Sequence, residues 1–429
     1  MRSSRTGRAN PINRRSLPMT YSPLPVGDPV ALGFDPERLA RIAPAMQEFV
    51  DTRRVPNLVT LVARRGQVVH HHACGVLDLD DGAPAGLDTL FRMWSNTKPI
   101  AGVATMVLYE RGLLTPDDPV SKFLPEYANQ QVRLADAPMM TEPAKRDITI
   151  RDCLTNTTGL VNPSTMPHFY RQQYGEVLTT LGWIGRDANM LSMPDGESRP
   201  TNRERVRAQA ELPLAAHPGE QFGYHLGYRL LSAVLEEASG QRLDELFREA
   251  ILDPLGMNDT AFYLKDGALD RFGASYVPRE VDGEVRLVAV DKAATSEKTV
   301  GPQMEFAAGG DMGGVLSTAG DYARFGQMLL NGGELDGVRI LGRKTVDLMI
   351  GNHTGDMVIP MTGPGFHWGL GVAMYHGRDR FPLIRSPGTY GWGGAAGTTY
   401  FADPSEELLG VCLTPVSYTH LTLPTKRIV

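Results

Sequence analysis

The chain has 429 residues, 42% hydrophobic and 21% charged, with 43 Lys and Arg against 49 Asp and Glu for a formal net charge of -6. That is an ordinary globular composition with enough apolar residues for a substantial core. The acidic balance argues against a dedicated nucleic-acid or anionic-membrane binder, and no apolar run is long enough to span a bilayer.

Residues 1 to about 25 carry Arg2, Arg5, Arg8, Arg14 and Arg15, then Pro18, Pro23 and Pro25, without the apolar segment that an export signal requires. They read as a disordered basic arm, with Met19 as an alternative start. Cys74, Cys153 and Cys412 are far apart and cannot all pair within one chain. A reduced, cytoplasmic setting is the simplest reading. Leu58 to Ala63 and Gln67 to Cys74 are β-prone runs joined by Arg64-Arg65-Gly66, a hairpin signal.

Ser95-Asn96-Thr97-Lys98 follows. Residues i and i+3 share a helix face, so the lysine amine stands beside the serine hydroxyl. A serine hydroxyl is a weak nucleophile that needs a neighbouring base, and lysine serves when its pKa is depressed. On spacing alone the commoner reading is a serine N-cap with a lysine in the first turn. The surroundings reverse this. Trp94 precedes, Pro99 suits an early helical position, and Ile100, Val103, Ala104, Val107 and Leu108 recur at core-facing intervals. A serine at such a helix start has its own amide available to hold an oxyanion.

Thr115-Pro116-Asp117-Asp118-Pro119 is a turn cluster, and residues from about 120 to 330 mix loops with helical patterns. One helix begins near Tyr228, with Leu231, Val234, Leu235 and Ala238 on one face and Gly240 as its stop. Another follows Ser317-Thr318, with Tyr322, Phe325, Met328 and Leu329 inward and Asn331-Gly332 at its end. Gly369 to Tyr375, Gly397 to Phe401 and Leu408 to Leu413 are strand-like, with a turn at Asp403-Pro404. From Val416 the tail follows no helical or strand pattern and reads as a non-native segment, 416–429. The layout predicts an α+β fold: one antiparallel sheet from both chain ends (about 55–90 and 365–415) with flanking helices, and a largely helical insertion over about 120–330, in one catalytic unit spanning 26–415. Catalytic residues belong in the cleft between these layers.

Two further segments carry candidate chemistry. His217 to Tyr224 ends in a tyrosine just before the helix at Tyr228, and a nearby lysine cation favours its phenolate. Taken alone, Tyr224 reads as a packed aromatic with its hydroxyl hydrogen-bonded. Tyr390-Gly391-Trp392-Gly393-Gly394-Ala395-Ala396-Gly397-Thr398 has glycines that let a backbone come close to a ligand or, equally, form a bulged strand. His70-His71-His72 alternates across a strand with no further ligand cluster, so no metal is expected. Asp78-Leu79-Asp80-Asp81-Gly82 has the wrong spacing for a calcium loop. Gly309 to Gly314 lacks the Gly-Lys-Ser/Thr of a phosphate cradle, and no Gly-x-Ser-x-Gly elbow is present.

From about Gly33 to Pro415 the chain resembles serine β-lactamases and penicillin-binding proteins, and most closely the β-lactamase-like (family VIII) carboxylesterases. Phe91 to Pro99 is similar to the nucleophile segment and Ile148 to Leu160 to a second landmark, with Asn156 where histidine is usual. Pro218 to Tyr224 with Leu230-Leu231 is similar to the tyrosine segment, and Gly313 to Thr318 to the loop before a late helix. The resemblance implies a β-lactamase/transpeptidase-like fold. It implies Ser95 as acylated nucleophile, Lys98 and Tyr224 sharing the general-base work, and the amides of Ser95 and Ala395 as oxyanion hole. It departs from the penicillin-recognising pattern twice. His225 and Leu226 follow Tyr224 in place of Tyr-x-Asn, and Trp392-Gly393-Gly394 stands where Lys-Thr-Gly is common. Losing that lysine removes a charge-assisted bond to a substrate carboxylate worth roughly 1.5–3 kcal/mol, and tryptophan offers an apolar wall instead. The expectation is a cofactor-free serine hydrolase acting on small short-chain esters. Its rivals are a β-lactamase, D-amino-acid peptidase or acyltransferase on the same site, and a catalytically silent binding protein of the same fold.

Overall fold

The computed structural model describes residues 23–137, 139–162, 172–180, 200–301, 314–377 and 384–417. Its centre is a seven-stranded antiparallel sheet drawn from both ends of the chain. β1 (Asn57–Arg64) and β2 (Gln67–Gly75) come from the first end. β3 (Phe366–Trp368), β4 (Ala373–Tyr375), β5 (Tyr390–Gly394), β6 (Thr398–Asp403) and β7 (Leu408–Leu413) come from the second. The order is β3-β4-β5-β6-β7-β1-β2. β1 and β7 join the two ends, with Val59 opposite Leu413 and Leu61 opposite Val411.

Period-two alternation along β1 sorts its side chains to two covered faces. Leu58 packs with Cys74 and Cys412 beneath helix α1 (Ile42–Asp51), whose Met46 and Phe49 point into the same cluster. Val59, Leu61 and Ala63 face the larger core, where α2 (Thr97–Glu110), α3 (Ile150–Thr155), α4 (Leu226–Ser239) and α5 (Ala319–Leu330) contribute buried side chains. α5 lies directly on β1, β6 and β7. The three cysteines are free.

Local signals account for most boundaries. The β1–β2 turn uses Arg65 (φ 51°) and Gly66 (φ 74°), the left-handed pair that a two-residue hairpin needs. α4 stops at Gly240 (φ 67°) and α5 starts on Thr318, whose side chain accepts from the Asp321 amide. α2 differs from its reading as a one-sided helix: every residue from Thr97 to Leu108 is buried, because this helix runs through the middle of the helical layer. The strand-like run Gly369 to Tyr375 is also shorter than its composition suggests. Gly371 turns at φ 102°, so only Ala373–Tyr375 is strand.

Within the stretch assigned to helices and loops lies a further hairpin, Ser275–Val281 with Glu284–Asp291. Its signal was present: Asp282 (φ 54°) and Gly283 (φ 78°) form an Asp-Gly turn between alternating runs. Tyr276, Leu287 and Ala289 from this hairpin cover the α1 face of the sheet. The chain ends also pack further out than their patterns suggest. The Val68 amide donates to Pro25 and the Gly27 amide to Val68, pinning the end of the basic stretch along β2. Val416 is buried against Tyr276, and the Ser417 amide donates to the Tyr276 carbonyl. The rest of both segments, part of the Thr165 to Arg207 region and Gly309 to Gly313 lie outside the described residues. Among the described residues no helix is long and apolar enough to cross a membrane.

Candidate active site

Ser95 sits in a single 3-10 turn, Trp94–Asn96, that leads into α2. It is therefore not the helix N-cap, a place taken by Asn96. Its hydroxyl is turned toward the side chain one helical step on: Lys98 Nζ donates to Ser95 Oγ at 3.1 Å. Lys98 is fully buried. Trp94, just before Ser95, has φ 45°, a strained value for a residue with a side chain.

The turn is tied from several sides. Asn96 Nδ2 donates to Thr398 Oγ1 at 3.0 Å, and the Tyr322 hydroxyl donates to the Asn96 carbonyl at 2.7 Å. The Val315 amide donates to Thr97 Oγ1 at 3.1 Å, and the Met93 amide to the Val315 carbonyl at 2.9 Å. Held by β6, α5 and the segment before it, Ser95 is a rigid feature rather than a loop tip.

The glycine-rich segment resolves as strand. β5 pairs with β6 through Gly391 and Phe401, Trp392 and Tyr400, Gly393 and Thr399, and Gly394 and Thr398. Its glycines admit close approach to the chain's own backbone. A Cβ on Gly394 would fall 2.3 Å from the Met93 carbonyl and 2.5 Å from Thr398 Oγ1. That contact sets the end of β5 against the Ser95 turn, with the exposed Ala395 following directly.

Tyr224 comes from the segment before α4. The landmark around Asn156 aligns it. A capping box between Thr149 and Asp152 starts α3, and Asn156 ends it in the left-handed region (φ 60°), where asparagine is tolerated. From there the Asn156 carbonyl accepts from the Gly223 amide at 2.7 Å, and its Oδ1 accepts from the His225 amide at 2.8 Å. Gly227 lets the start of α4 press on α3, since a Cβ there would lie 2.8 Å from the Cys153 Cα.

Trp392 Nε1 donates to the Tyr224 hydroxyl at 2.7 Å, and that hydroxyl also bonds with the Ser95 side chain. Lys98 Nζ stands 4.5 Å from the Tyr224 ring centroid and 5.1 Å from that of Tyr228. Burial pushes the Tyr224 phenol above its ordinary range, and the bonds with Ser95 and Trp392 only partly offset it. The lysine-assisted phenolate expected from the sequence is thus opposed by desolvation, and Tyr224 keeps its proton at neutral pH.

Ser95, Lys98, Tyr224 and Trp392 are thus brought together, and Gly393, Gly394 and Ala395 run beside them. Sequence reasoning missed His225, whose Nδ1 lies 3.2 Å from Lys98 Nζ. It also missed an aromatic wall. Trp368 and Trp392 meet edge to face at 4.4 Å, and Tyr224 stands 5.5 Å from Trp392 with Phe222 stacked behind it. The His70-His71-His72 run lies on β2 at the far edge of the sheet, where His70 bonds Thr60 at 2.7 Å. Among the described residues no cluster of three metal-ligating side chains occurs.

An antiparallel sheet faced by a helical layer, with serine, lysine and tyrosine meeting where the two join, defines a serine hydrolase of the β-lactamase/transpeptidase type. The chain belongs to the Beta-lactamase family, whose profile matches residues 42–425. It is 33% identical over 378 residues to Protein Rv1367c of Mycobacterium tuberculosis, covering 85% of this chain and 87% of that one. Esterase EstB of Burkholderia gladioli is 30% identical over 409 residues, 92% of this chain and 95% of its own. Among solved structures, EstCE1, described as a hydrolase with promiscuous acyltransferase activity, superposes with a TM-score of 0.71 at 26% identity, covering 92% of this chain and 97% of that one.

Proposed function

We propose that the protein is a carboxylesterase that cleaves short-chain esters through an acyl-Ser95 intermediate. The observation that carries the reading is the buried Lys98 amine 3.1 Å from Ser95 Oγ, with the Tyr224 hydroxyl bonded to the same serine. Ser95 Oγ attacks the ester carbonyl carbon as its proton passes to the neutral Lys98 amine. With Tyr224 holding its proton, lysine is the acceptor and the phenol the donor. The tetrahedral oxyanion is held by the amides of Ser95 and Ala395. Collapse breaks the bond to the alkoxide, which is reprotonated from the Lys98–Tyr224 pair. Water then attacks the acyl-enzyme along the same proton route and releases the acid.

The wall of Trp392 and Phe222, backed by the fully buried Trp368, supports a neutral substrate. It supplies apolar contact where a carboxylate-binding lysine would stand, and the esterase and hydrolase names of EstB and EstCE1 agree with that preference. A fluorophosphonate should leave one adduct, mapped by mass spectrometry to Ser95 and absent from Ser95→Ala. p-Nitrophenyl butyrate should be turned over far faster than nitrocefin. No adduct at Ser95 would favour a silent binding protein. Fast nitrocefin turnover would favour a β-lactamase, release of a terminal D-alanine a peptidase, and acyl transfer to an added alcohol outpacing hydrolysis an acyltransferase.

A further inference from the structure

The residue after Tyr224 is in an unusual position. His225 precedes α4 with φ 76° and ψ -30°, a left-handed conformation that costs any residue with a Cβ and that glycine or asparagine adopts more readily. Such strain persists only where the surroundings over-determine it. Here the backbone is held by Asn156 Oδ1, 2.8 Å from the His225 amide nitrogen, and the side chain by Lys98 Nζ, 3.2 Å from Nδ1. The half-buried imidazole therefore touches the fully buried amine that is bonded to Ser95.

We propose that His225 is a positioning residue for the acylation step, its Nδ1 accepting a hydrogen bond from Lys98 Nζ; this rests on Lys98 being the base. With the single lone pair of the neutral amine committed to the Ser95 hydroxyl, Lys98 Nζ can offer Nδ1 only an N–H, which makes Nδ1 the bare, accepting nitrogen of a neutral imidazole. One N–H directed at Nδ1 restricts rotation about the end of the side chain and leaves the lone pair of the neutral amine for Ser95 Oγ. When that amine takes the serine proton, the same contact becomes charge-assisted and stronger. The ammonium that develops has left bulk solvent, so an acceptor already in place lowers the barrier rather than the ground state. The left-handed backbone is what permits this: it swings the His225 side chain to the same amine that the Tyr224 ring already faces.

Three substitutions separate this role from packing. Asn at 225 places Oδ1 where Nδ1 stands and tolerates the backbone. Phe at 225 keeps a ring against Tyr224 but has no acceptor. Gly at 225 removes both and relieves the backbone. The readouts are the burst of p-nitrophenol from p-nitrophenyl butyrate, its concentration dependence, and the second-order rate of fluorophosphonate labelling. His225→Phe and His225→Gly should acylate about 10- to 100-fold more slowly, the range expected for one charge-assisted bond, with KM within threefold. His225→Asn should stay within about fivefold of the unaltered protein. If His225→Phe fails to fold, His225→Gly carries the comparison. Wild-type rates in His225→Gly, or His225→Asn as slow as His225→Gly, would overturn the proposal. Absence of labelling in the unaltered protein would instead remove the serine-hydrolase reading, so the two failures are distinct.

Discussion

Removing one oxygen from Tyr224 discriminates between a catalytic phenol and a packing aromatic. In Tyr224→Phe the ring keeps its contacts with Phe222, Trp368 and Trp392, while the bonds to Ser95 and from Trp392 Nε1 are lost. In the proposed mechanism an ester binds to the wall and to the backbone amides, so ground-state binding should move little, KM staying within about threefold, or about 0.7 kcal/mol. The proposed acylation step uses the phenolic proton for the departing alkoxide. A positioned acid or base contributes about 10²- to 10⁴-fold, so the burst rate should fall by that factor, about 2.7–5.5 kcal/mol. The fold loses the acceptor of a half-buried indole N–H, a cost of about 1 kcal/mol. Trp392→Phe is the control. It removes the donor but leaves the phenol, and one neutral hydrogen bond of about 0.5–1.5 kcal/mol predicts only about a 2- to 13-fold loss. Stopped-flow release of p-nitrophenol measures each burst, and its concentration dependence gives the affinity. Equal losses of rate and affinity in Tyr224→Phe, or a Trp392→Phe burst as slow as that of Tyr224→Phe, would refute an acid–base role for the hydroxyl.

Gly394→Ala should lower both stability and burst rate, because the added methyl group would meet the Met93 carbonyl at 2.3 Å and force β5 away from the Ser95 turn; unchanged melting and unchanged activity would remove the argument that this glycine sets the oxyanion strand. Asp321 is nearly fully buried, and burial raises its carboxyl from 3.8 to about 6 despite bonds from Thr260 and the Asp259 amide. The folded state thus binds a proton that the unfolded state releases, so this residue's contribution is complete below about pH 4 and is lost as pH rises through 6. Asp321→Asn should gain on the parent protein by about 2 kcal/mol between pH 4 and pH 7 in denaturant titrations, and a pH-independent difference would sink the assignment.

The fold was legible where local chemistry and tertiary demand agree. Leu408 to Leu413 is strand at the expected bounds, and the α4 and α5 stops fall at Gly240 and Asn331, because turn residues, capping and periodicity all point one way there. It was less legible where packing overrides a pattern. α2 shows an apolar stripe, yet its other face is buried too, and no periodicity in α2 itself announces that neighbours cover it. The 275–291 hairpin was hidden by its surroundings rather than by its own residues, since its Asp-Gly turn is explicit.

The site divides along a related line. Ser95 and Lys98 are close in sequence, and spacing alone brings them together. Tyr224 and Trp392 are 168 positions apart, and only resemblance to a family could pair them before the 2.7 Å contact was seen. His225 was hidden for a geometric reason. Neighbouring side chains diverge by about 100° on a helix and by about 180° on a strand, so a tyrosine that faces the lysine implies that the next residue does not. A left-handed residue at the junction breaks that rule, and two consecutive side chains reach one amine. The signal in the sequence is indirect: Asn156, which suits the left-handed cap of α3, is also the residue whose side chain holds the His225 amide. Replacing it with alanine removes that bond while leaving Tyr224, Lys98 and Ser95 untouched. Asn156→Ala should therefore slow acylation in the manner of His225→Gly, and adding it to His225→Gly should cost little more. Independent, additive losses in the double variant would mean that Asn156 acts on the site by a route other than His225.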